Sequence, residues 1–239
     1  MFIEKITKDE LTKYVNKYPI IIIPFGSVEE HGPHLPLSTD TIQMVEILKL
    51  VEKKIPVFIA PPVHYGVCRS TEEHPGTVGI SPQTLRLVVI DLLDSFKKQG
   101  FKYFFLISGH AGKLHMYALI EASETFVKKH KDVRVFVYSE LELIKNDLEG
   151  IIETKNDSHA GEIETSRMLY IDNSLVKKPI EKLKPDEPNF FPGEITANKL
   201  KYWESGIWGD PTKASPYKGK ATIEIAANKI VEIIKKIVK

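Results

Sequence analysis

The sequence has very little cysteine, no excess of charge of either sign and no long hydrophobic run. Its 239 residues include one cysteine, and 33 Lys plus Arg balance 32 Asp plus Glu to a net charge of +1. A balanced charge without a concentrated basic stretch argues against binding to the phosphate backbone of nucleic acids. The longest nearly unbroken apolar run covers residues 20–25, whereas a membrane-spanning helix needs roughly 20 residues. We therefore expect neither a nucleic-acid partner nor a membrane partner.

The single cysteine also bears on location and on metal chemistry. Cys68 cannot form an intramolecular disulfide, and residues 1–5 lack the basic and apolar regions of a secretory signal. We therefore expect a cytoplasmic protein. Cys68 has no basic neighbour other than Arg69, so an inert thiol is favoured over a nucleophile, and a closed zinc site built from cysteines is disfavoured.

Two further absences narrow the enzyme classes. The sequence has no G-x-G-x-x-G after a predicted strand and no G-x-x-x-x-G-K-[ST], which argues against the common phosphate-binding loops. It also has no G-x-S-x-G motif. Ser27 and Ser108 lie near histidines in the sequence, but a serine triad would leave the acidic and histidine residues of 26–40 unexplained.

Strand-like and helix-like segments alternate along the chain. Strands are predicted at 20–25, 57–60, 103–107 and 133–138, and helices at 39–54, 82–99, 113–130, 160–170 and 219–239. This alternation predicts an α/β fold with a mostly parallel sheet and helices on both faces, in a single domain over residues 1–239. Residues 177–216 have weak periodicity and are interpreted as a long structured excursion, of the kind that is often functional.

Polar residues with metal-binding side chains follow the predicted strands. Glu29 and His31 come after the first strand, two positions apart, so an extended chain projects them to the same side. A turn rich in Gly and Pro brings Asp40 back toward them, and His110 follows the third strand. His159 and two carboxylates lie in residues 159–166, at the start of a later helix.

These groups are expected to meet, because ligands of such folds gather beyond the carboxyl ends of the strands. Carboxylate and imidazole ligands suit Zn²⁺, Mn²⁺ or Fe²⁺. A carboxylate such as Asp40 can bridge two ions about 3.5 to 4 Å apart. The residues alone therefore predict a metal-dependent hydrolase. Glu30 and Glu164 are interpreted as surface or salt-bridging residues. Five histidines are interpreted as structural: His34, His64, His74, His115 and His130. Of these, His34 is the one expected to support a metal ligand.

Five motifs together resemble those of the creatininase (creatinine amidohydrolase) family. The most specific is Gly-Ser-Val-Glu-Glu-His-Gly-Pro-His-Leu-Pro-Leu-Ser-Thr-Asp at residues 26–40. The others are Pro-Gly-Thr at 75–77, Ser-Gly-His-Ala-Gly at 108–112, His-Ala-Gly-Glu-Ile-Glu-Thr-Ser at 159–166 and Gly-Asp-Pro-Thr-Lys-Ala at 209–214. The matches extend over about residues 18–220, nearly the whole chain.

The resemblance implies a three-layer α/β/α sandwich, a homo-oligomer that is commonly a hexamer, and a site with two divalent metal ions. Such a site hydrolyses a carbon–nitrogen bond in a small-molecule amide: a cyclic amide, a formamide or a peptide. By resemblance, Glu29 and His110 are ligands of one ion, His31 is a ligand of the other, and Asp40 bridges them.

The sequence departs from creatininase proper at three places. Gly112 stands where creatininase has a further carboxylate ligand, and Glu162 is the expected substitute. Lys113 replaces the usual Asn, and residues 69–74 do not follow the creatininase spacing. The last two departures touch expected substrate contacts and argue against creatinine itself as the substrate.

The expected mechanism is attack of a metal-bridging hydroxide on the amide carbonyl, with Glu162 or His159 assisting proton transfer to the leaving nitrogen. If Glu162 is a metal ligand, His159 is the better proton-transfer group. Two alternatives stay open at this point. A two-metal phosphoesterase would use the same ligands, with Lys113 and Arg69 as phosphate contacts, and a catalytically inactive scaffold would only bind metal.

Overall fold

The structure, a computed structural model, describes residues 1–190 and 194–238. Over these residues, one sheet contains four parallel strands in the order β2-β1-β3-β4. The strands are β1 Ile20–Phe25, β2 Phe58–Ile59, β3 Tyr103–Ser108 and β4 Arg134–Ser139. The register aligns Ile22 of β1 with Phe105 of β3, and Phe105 with Phe136 of β4.

Eight α-helices connect and cover the strands over the same described residues. They are α1 Lys8–Val15, α2 Thr39–Lys54, α3 Pro82–Lys98, α4 Lys113–Lys129, α5 Glu140–Ile144, α6 Glu162–Asp172, α7 Lys199–Tyr202 and α8 Pro216–Ile237. Ser81 caps α3 and Ser215 caps α8, each followed by a proline in the first turn. None of the helices in residues 1–190 and 194–238 combines the length and apolar character needed to cross a membrane.

The side chains of β1 and β3 divide the core into two layers. Ile20 and Ile22 pack with the apolar faces of α2 and α8, whereas Ile21 and Ile23 pack with those of α3 and α4. Successive side chains of a strand point to opposite faces of the sheet, so an unbroken apolar strand needs helices on both sides. The predicted three-layer α/β/α sandwich around a parallel sheet is confirmed.

Several elements differ from the predictions: α5 and α7 were not predicted, α8 begins at Pro216 rather than 219, and three further differences have a local cause. Helix α1 was not predicted, although Thr7 and Glu10 form a capping box at its start. Helix α6 begins at Glu162 rather than 160, because the Asp157 carboxylate accepts hydrogen bonds from the first N–H groups of the helix. Strand β2 contains two residues rather than four, between Pro56 and the Pro61-Pro62 pair, and proline lacks the N–H group that a sheet ladder needs.

Candidate metal centre

The polar residues that follow β1 and β3 meet at the carboxyl edge of the sheet. Glu29 and His31 follow β1, His110 follows β3, and Asp40 lies in the first turn of α2. Strand β1 is joined to β2 on one side and to β3 on the other, so the strand order reverses direction at this point. Open α/β sheets bind ligands in the crevice at such a reversal.

Two glycines allow α2 to approach the strand ends. A Cβ atom at Gly26 would lie 2.1 Å from the Thr41 hydroxyl, and one at Gly109 would lie 2.5 Å from the Asp40 carbonyl oxygen. Neither position has space for a side chain. The first turn of α2 therefore packs directly against the ends of β1 and β3 and holds Asp40 between them.

The Asp40 carboxylate directs one oxygen to each of two histidines. Its Oδ1 lies 3.2 Å from His31 Nε2, and its Oδ2 lies 3.2 Å from His110 Nδ1. Glu29 Oε2 lies 2.9 Å from the same nitrogen of His110. The hydroxyls of Ser27 and Thr71 donate to Asp40 Oδ2 and Glu29 Oε1, respectively, which fixes both carboxylates.

Backbone carbonyls orient both imidazole rings. His31 Nδ1 lies 3.0 Å from the Glu29 carbonyl oxygen, and His110 Nε2 lies 3.1 Å from the Val67 carbonyl oxygen. Because a carbonyl oxygen only accepts, these nitrogens carry hydrogen, and in the neutral ring the other nitrogen presents a lone pair. A lone pair facing carboxylate oxygens is repelled unless a cation or a proton lies between them. This arrangement is typical of histidines that bind a metal, so the donor set fits a divalent cation.

Glu164 on α6 joins His31 from the other side. Its Oε2 lies 3.7 Å from His31 Nε2 and accepts the Ala160 N–H at 2.6 Å, while Gln43 Nε2 donates to Oε1 at 3.2 Å. One ligand atom from each of His31, His159 and Glu164 lies within 4.8 Å of the others. Glu164, expected at the surface or in a salt bridge, is 7% exposed and pairs with His31.

Glu162, expected to be a ligand or a proton-transfer group, lies outside this cluster. Its carboxylate accepts the Thr154 N–H at 2.8 Å and forms an ion pair with Lys218 on α8. Residues two apart on a helix point roughly 200° away from each other. When Glu164 faces His31, Glu162 must therefore face α8.

Cys68, interpreted from the sequence as an inert thiol, also lies at the cluster. Its sulfur and one ligand atom each from Glu29 and His110 lie within 4.8 Å of one another, and the cysteine is 3% exposed. Burial, followed by the charge of Glu29, raises the pKa of the thiol to about 12. The loop that carries Cys68 has no helical or strand period, so the sequence contains no signal that would place it here.

The charges of the cluster shift the pKa values of its members strongly. Burial alone would lower the pKa of His31, but the carboxylates of Glu164 and Asp40 raise it to about 10. Burial alone would raise the pKa of Glu29, but the neighbouring His110 lowers it to about 2. Burial likewise disfavours the charged forms of Asp40 and His110, yet the charge of His31 lowers the pKa of Asp40, and the charge of Glu29 raises that of His110. The buried carboxylates thus stabilise positive charge between them, supplied by protons or by a metal.

Comparison with known proteins identifies the family. The creatininase family, described as creatinine amidohydrolase, matches this chain over residues 4–234. The chain belongs to the creatininase family. This match confirms the predicted family and the class of enzyme, a metal-dependent amidohydrolase.

Individual relatives have different names. The chain is 30% identical over 230 residues to the mycofactocin precursor peptide peptidase of Mycolicibacterium smegmatis, covering 91% of this chain and 85% of the relative. It is 22% identical to the creatinine amidohydrolase of Pseudomonas putida, covering 90% of this chain and 88% of that relative. A solved manganese creatininase superposes with a TM-score of 0.88 at 21% identity, covering 98% of this chain and 97% of the other. The last comparison shows that the fold is shared.

In this creatininase-family chain, His159 lies against His31 at the edge of the cluster. The two ring centroids are 4.3 Å apart, and His159 Nε2 lies 2.8 Å from the carbonyl oxygen and 3.3 Å from Oε1 of Glu30. Burial and the charge of His31 lower the pKa of His159, but the carboxylates of Glu30, Glu29 and Glu164 together outweigh them, and the pKa is raised. Glu30, expected at the surface or in a salt bridge, is 6% exposed and orients this histidine.

The excursion at 177–216 covers the same side of the site. Trp203 is buried, with its ring 5.4 Å from that of His159, and Trp208 N donates to the His159 carbonyl oxygen at 2.7 Å. Residues 191–193 of the excursion lie outside the described residues. The segment that had weak periodicity in the sequence therefore encloses His159.

The remaining histidines lie around the cluster or away from it. His34 Nε2 lies 2.8 Å from the hydroxyl of Thr165, the residue after Glu164, and burial lowers the pKa of His34 to about 4. His115 Nδ1 accepts the Val67 N–H at 3.2 Å. His130 pairs with Asp94 and His64 is exposed.

Proposed function

We propose that this chain hydrolyses a carbon–nitrogen bond with two divalent cations, Zn²⁺, Mn²⁺ or Fe²⁺. One cation would be held by Glu29 and His110, the other by His31 and Glu164, and Asp40 would bridge them. The observation that carries the proposal is the position of Asp40, whose two oxygens each lie 3.2 Å from a differently placed imidazole nitrogen. A single cation would leave one of the two buried imidazole nitrogens without a positive partner.

The cations would supply Lewis acidity toward the amide carbonyl oxygen and lower the pKa of a water molecule that acts as the nucleophile. The residues of the chain orient the ligands of these cations and balance the charge of the site. The carbonyl groups behind His31 and His110 keep the correct ring nitrogens facing inward, and Ser27 and Thr71 hold the carboxylates. A buried site of this kind strengthens each electrostatic interaction within it.

His159 is the proposed proton donor to the leaving nitrogen. The carboxylates of Glu30, Glu29 and Glu164 raise the pKa of His159 above its ordinary value, which favours the protonated ring. The Trp203 ring, whose centroid lies 5.4 Å from that of His159, packs against it. A positioned imidazolium is suited to protonating an amine leaving group.

The substrate is proposed to be a small cyclic amide, a formamide or a peptide amide. Support comes from the relatives, of which one is named a peptide peptidase and another a creatinine amidohydrolase. Lys113 and Arg69, the candidate phosphate contacts of a phosphoesterase, are exposed. No observation on the described residues favours phosphoester hydrolysis.

The test is metal analysis combined with hydrolysis of a panel of amides and phosphoesters by the full-length protein. We expect two divalent cations per chain and hydrolysis of an amide that stops on chelation and returns with added metal. Exchanging both His31 and Asp40 for Ala should abolish both metal binding and hydrolysis. Undiminished hydrolysis by that variant, or by the metal-free protein, would overturn the two-metal proposal.

We also propose that the protein is a homo-oligomer, up to a hexamer. Helices α3 and α4, joined by the Arg86–Glu121 ion pair, expose Leu87 and Tyr117 by 58% and 59%. A contiguous patch of exposed apolar side chains is typical of an association surface. Light scattering coupled to gel filtration measures the subunit count, and a monomer at micromolar concentration would refute this proposal. The cytoplasmic location stays a prediction.

A further inference from the structure

One metal-binding side chain of the cluster has no part in the proposed function so far. The Cys68 sulfur lies within 4.8 Å of ligand atoms of both Glu29 and His110. All three residues are buried, at 3%, 3% and 7% exposure. Because the chain has one cysteine, this is the one place where a thiolate can contribute to metal binding.

The backbone next to Cys68 is anchored to the same strand end as His110. The Val67 carbonyl oxygen accepts from His110 Nε2 at 3.1 Å, and the Val67 N–H donates to His115 Nδ1 at 3.2 Å. A Cβ atom at Gly66 would lie 3.0 Å from the Gly26 carbonyl oxygen, so this segment also packs closely on the end of β1. The segment that orients His110 therefore also holds the thiol beside Glu29.

We propose that Cys68 is a thiolate ligand of the cation held by Glu29, His110 and Asp40. The inference rests on the proposed two-metal function and adds a soft ligand to one of its two sites. On binding, a sulfur–metal bond forms and the thiol proton leaves to solvent. Thiolate is a soft ligand and favours Zn²⁺ over Mn²⁺. The two sites of this chain thus differ in metal preference.

The experiment titrates metal-free, full-length protein with Co²⁺ alone and records its absorption spectrum. Cobalt bound by a thiolate gives an intense charge-transfer band in the near ultraviolet, whereas visible bands report bound cobalt in general. We expect the near-ultraviolet band in the wild-type protein and its loss in Cys68→Ser, with the visible bands retained. Since no other cysteine exists in the chain, no second thiol can produce the band.

A binding competition between Zn²⁺ and Mn²⁺ measures directly how strongly the site beside Cys68 prefers zinc over manganese. We expect Cys68→Ser to shift the ratio of zinc to manganese affinity at one site by at least about tenfold toward manganese, as losses of metal-site partners typically do. An unchanged ratio would contradict a thiolate ligand. Binding and spectra are measured without a substrate, so the result does not depend on activity.

The outcomes separate this inference from the proposed function. Visible cobalt bands without a near-ultraviolet band in the wild-type protein, or a band that persists in Cys68→Ala, would overturn the ligand role of Cys68 and leave the two-metal function standing. Absence of any bound cobalt would overturn both. If both cysteine variants fail to fold, ¹¹³Cd magnetic resonance of the wild-type protein decides, because a thiolate ligand moves the cadmium signal far downfield of oxygen and nitrogen ligands.

Discussion

Glu162 and Glu164 are two residues of the same type, two positions apart on α6, with different surroundings. Glu164 lies 3.7 Å from His31 Nε2, whereas Glu162 pairs with Lys218. Helical geometry separates their directions, and burial removes both from water. The two residues therefore provide a matched test, in which Glu164 is the proposed metal ligand and Glu162 is the structural control.

We expect Glu164→Gln to lower metal affinity by at least about tenfold and to reduce hydrolysis, because a neutral amide binds a divalent cation weakly. In contrast, Glu162→Gln should keep the metal content and lower the free energy of unfolding by about 1–3 kcal/mol, because it removes the charge that Lys218 pairs with in a partly buried setting. Metal analysis and chemical denaturation measure the two effects. The reverse pattern, with metal lost in Glu162→Gln, would restore the original assignment of Glu162.

Residues of the site could be predicted where they follow a recognisable element. Glu29, His31 and His110 directly follow strands whose apolar runs are evident in the sequence, so their convergence could be expected. The choice between Glu162 and Glu164 depends on which face of α6 packs against α8, and the sequence does not reveal that packing. Cys68 lies in a loop without periodicity, and its position depends on hydrogen bonds of Val67 to two histidines.

At the scale of elements, the close approach of α2 to the strand ends holds Asp40 in place. The approach depends on Gly26 and Gly109, at which a Cβ atom would meet Thr41 or the Asp40 backbone. The helices and strands themselves could be predicted from caps and apolar runs. The distance between α2 and the sheet could not, because it depends on contacts between residues far apart in the chain.

We expect Gly109→Ala to lower the free energy of unfolding by about 1–3 kcal/mol, the cost of adding a methylene-sized group to a packed site. It should also weaken metal binding, since the added Cβ would push Asp40 away from His110. The control is Gly79→Ala, where the nearest atom would be 3.5 Å from the Cβ, an ordinary contact. Calorimetric metal titration and thermal unfolding measure both variants. Equal metal affinities of the two variants would show that the spacing of α2 does not control the site.

At the scale of the whole molecule, the cluster joins segments from distant parts of the chain. Its ligands follow β1 and β3 and lie on α2 and α6, and the buried Arg167 links α6 to α5 through Glu140 at 2.8 Å. A cation bound here connects these segments in the folded state and has no equivalent site in the unfolded chain. A free metal concentration of about one hundred times the dissociation constant therefore stabilises the folded state by about 2.7 kcal/mol. That a single domain spans residues 1–239 stays a prediction.

This coupling predicts a pH dependence that differs between metal-free and metal-bound protein. In the metal-free protein the pKa of His31 is raised from 6.5 to about 10, so its stabilising charge is fully present below pH 6.5 and is lost as pH rises toward 10. The pKa of Glu29 is lowered from 4.5 to about 2, so its contribution is present above pH 4.5 and is lost as pH falls toward 2. The contributions of these two groups are therefore both complete only between about pH 4.5 and 6.5.

Metal replaces the protons of the cluster, and its binding strengthens as pH rises because histidine must be neutral to bind. We expect the difference in Tm between metal-bound and metal-free protein to grow steadily from about pH 6 to pH 9. Differential scanning calorimetry with and without chelator measures it, and the His31→Ala, Asp40→Ala double variant, which lacks the coupled groups, should show little dependence on metal at any pH. A constant difference in the wild-type protein would mean that protons and metal do not compete for this site.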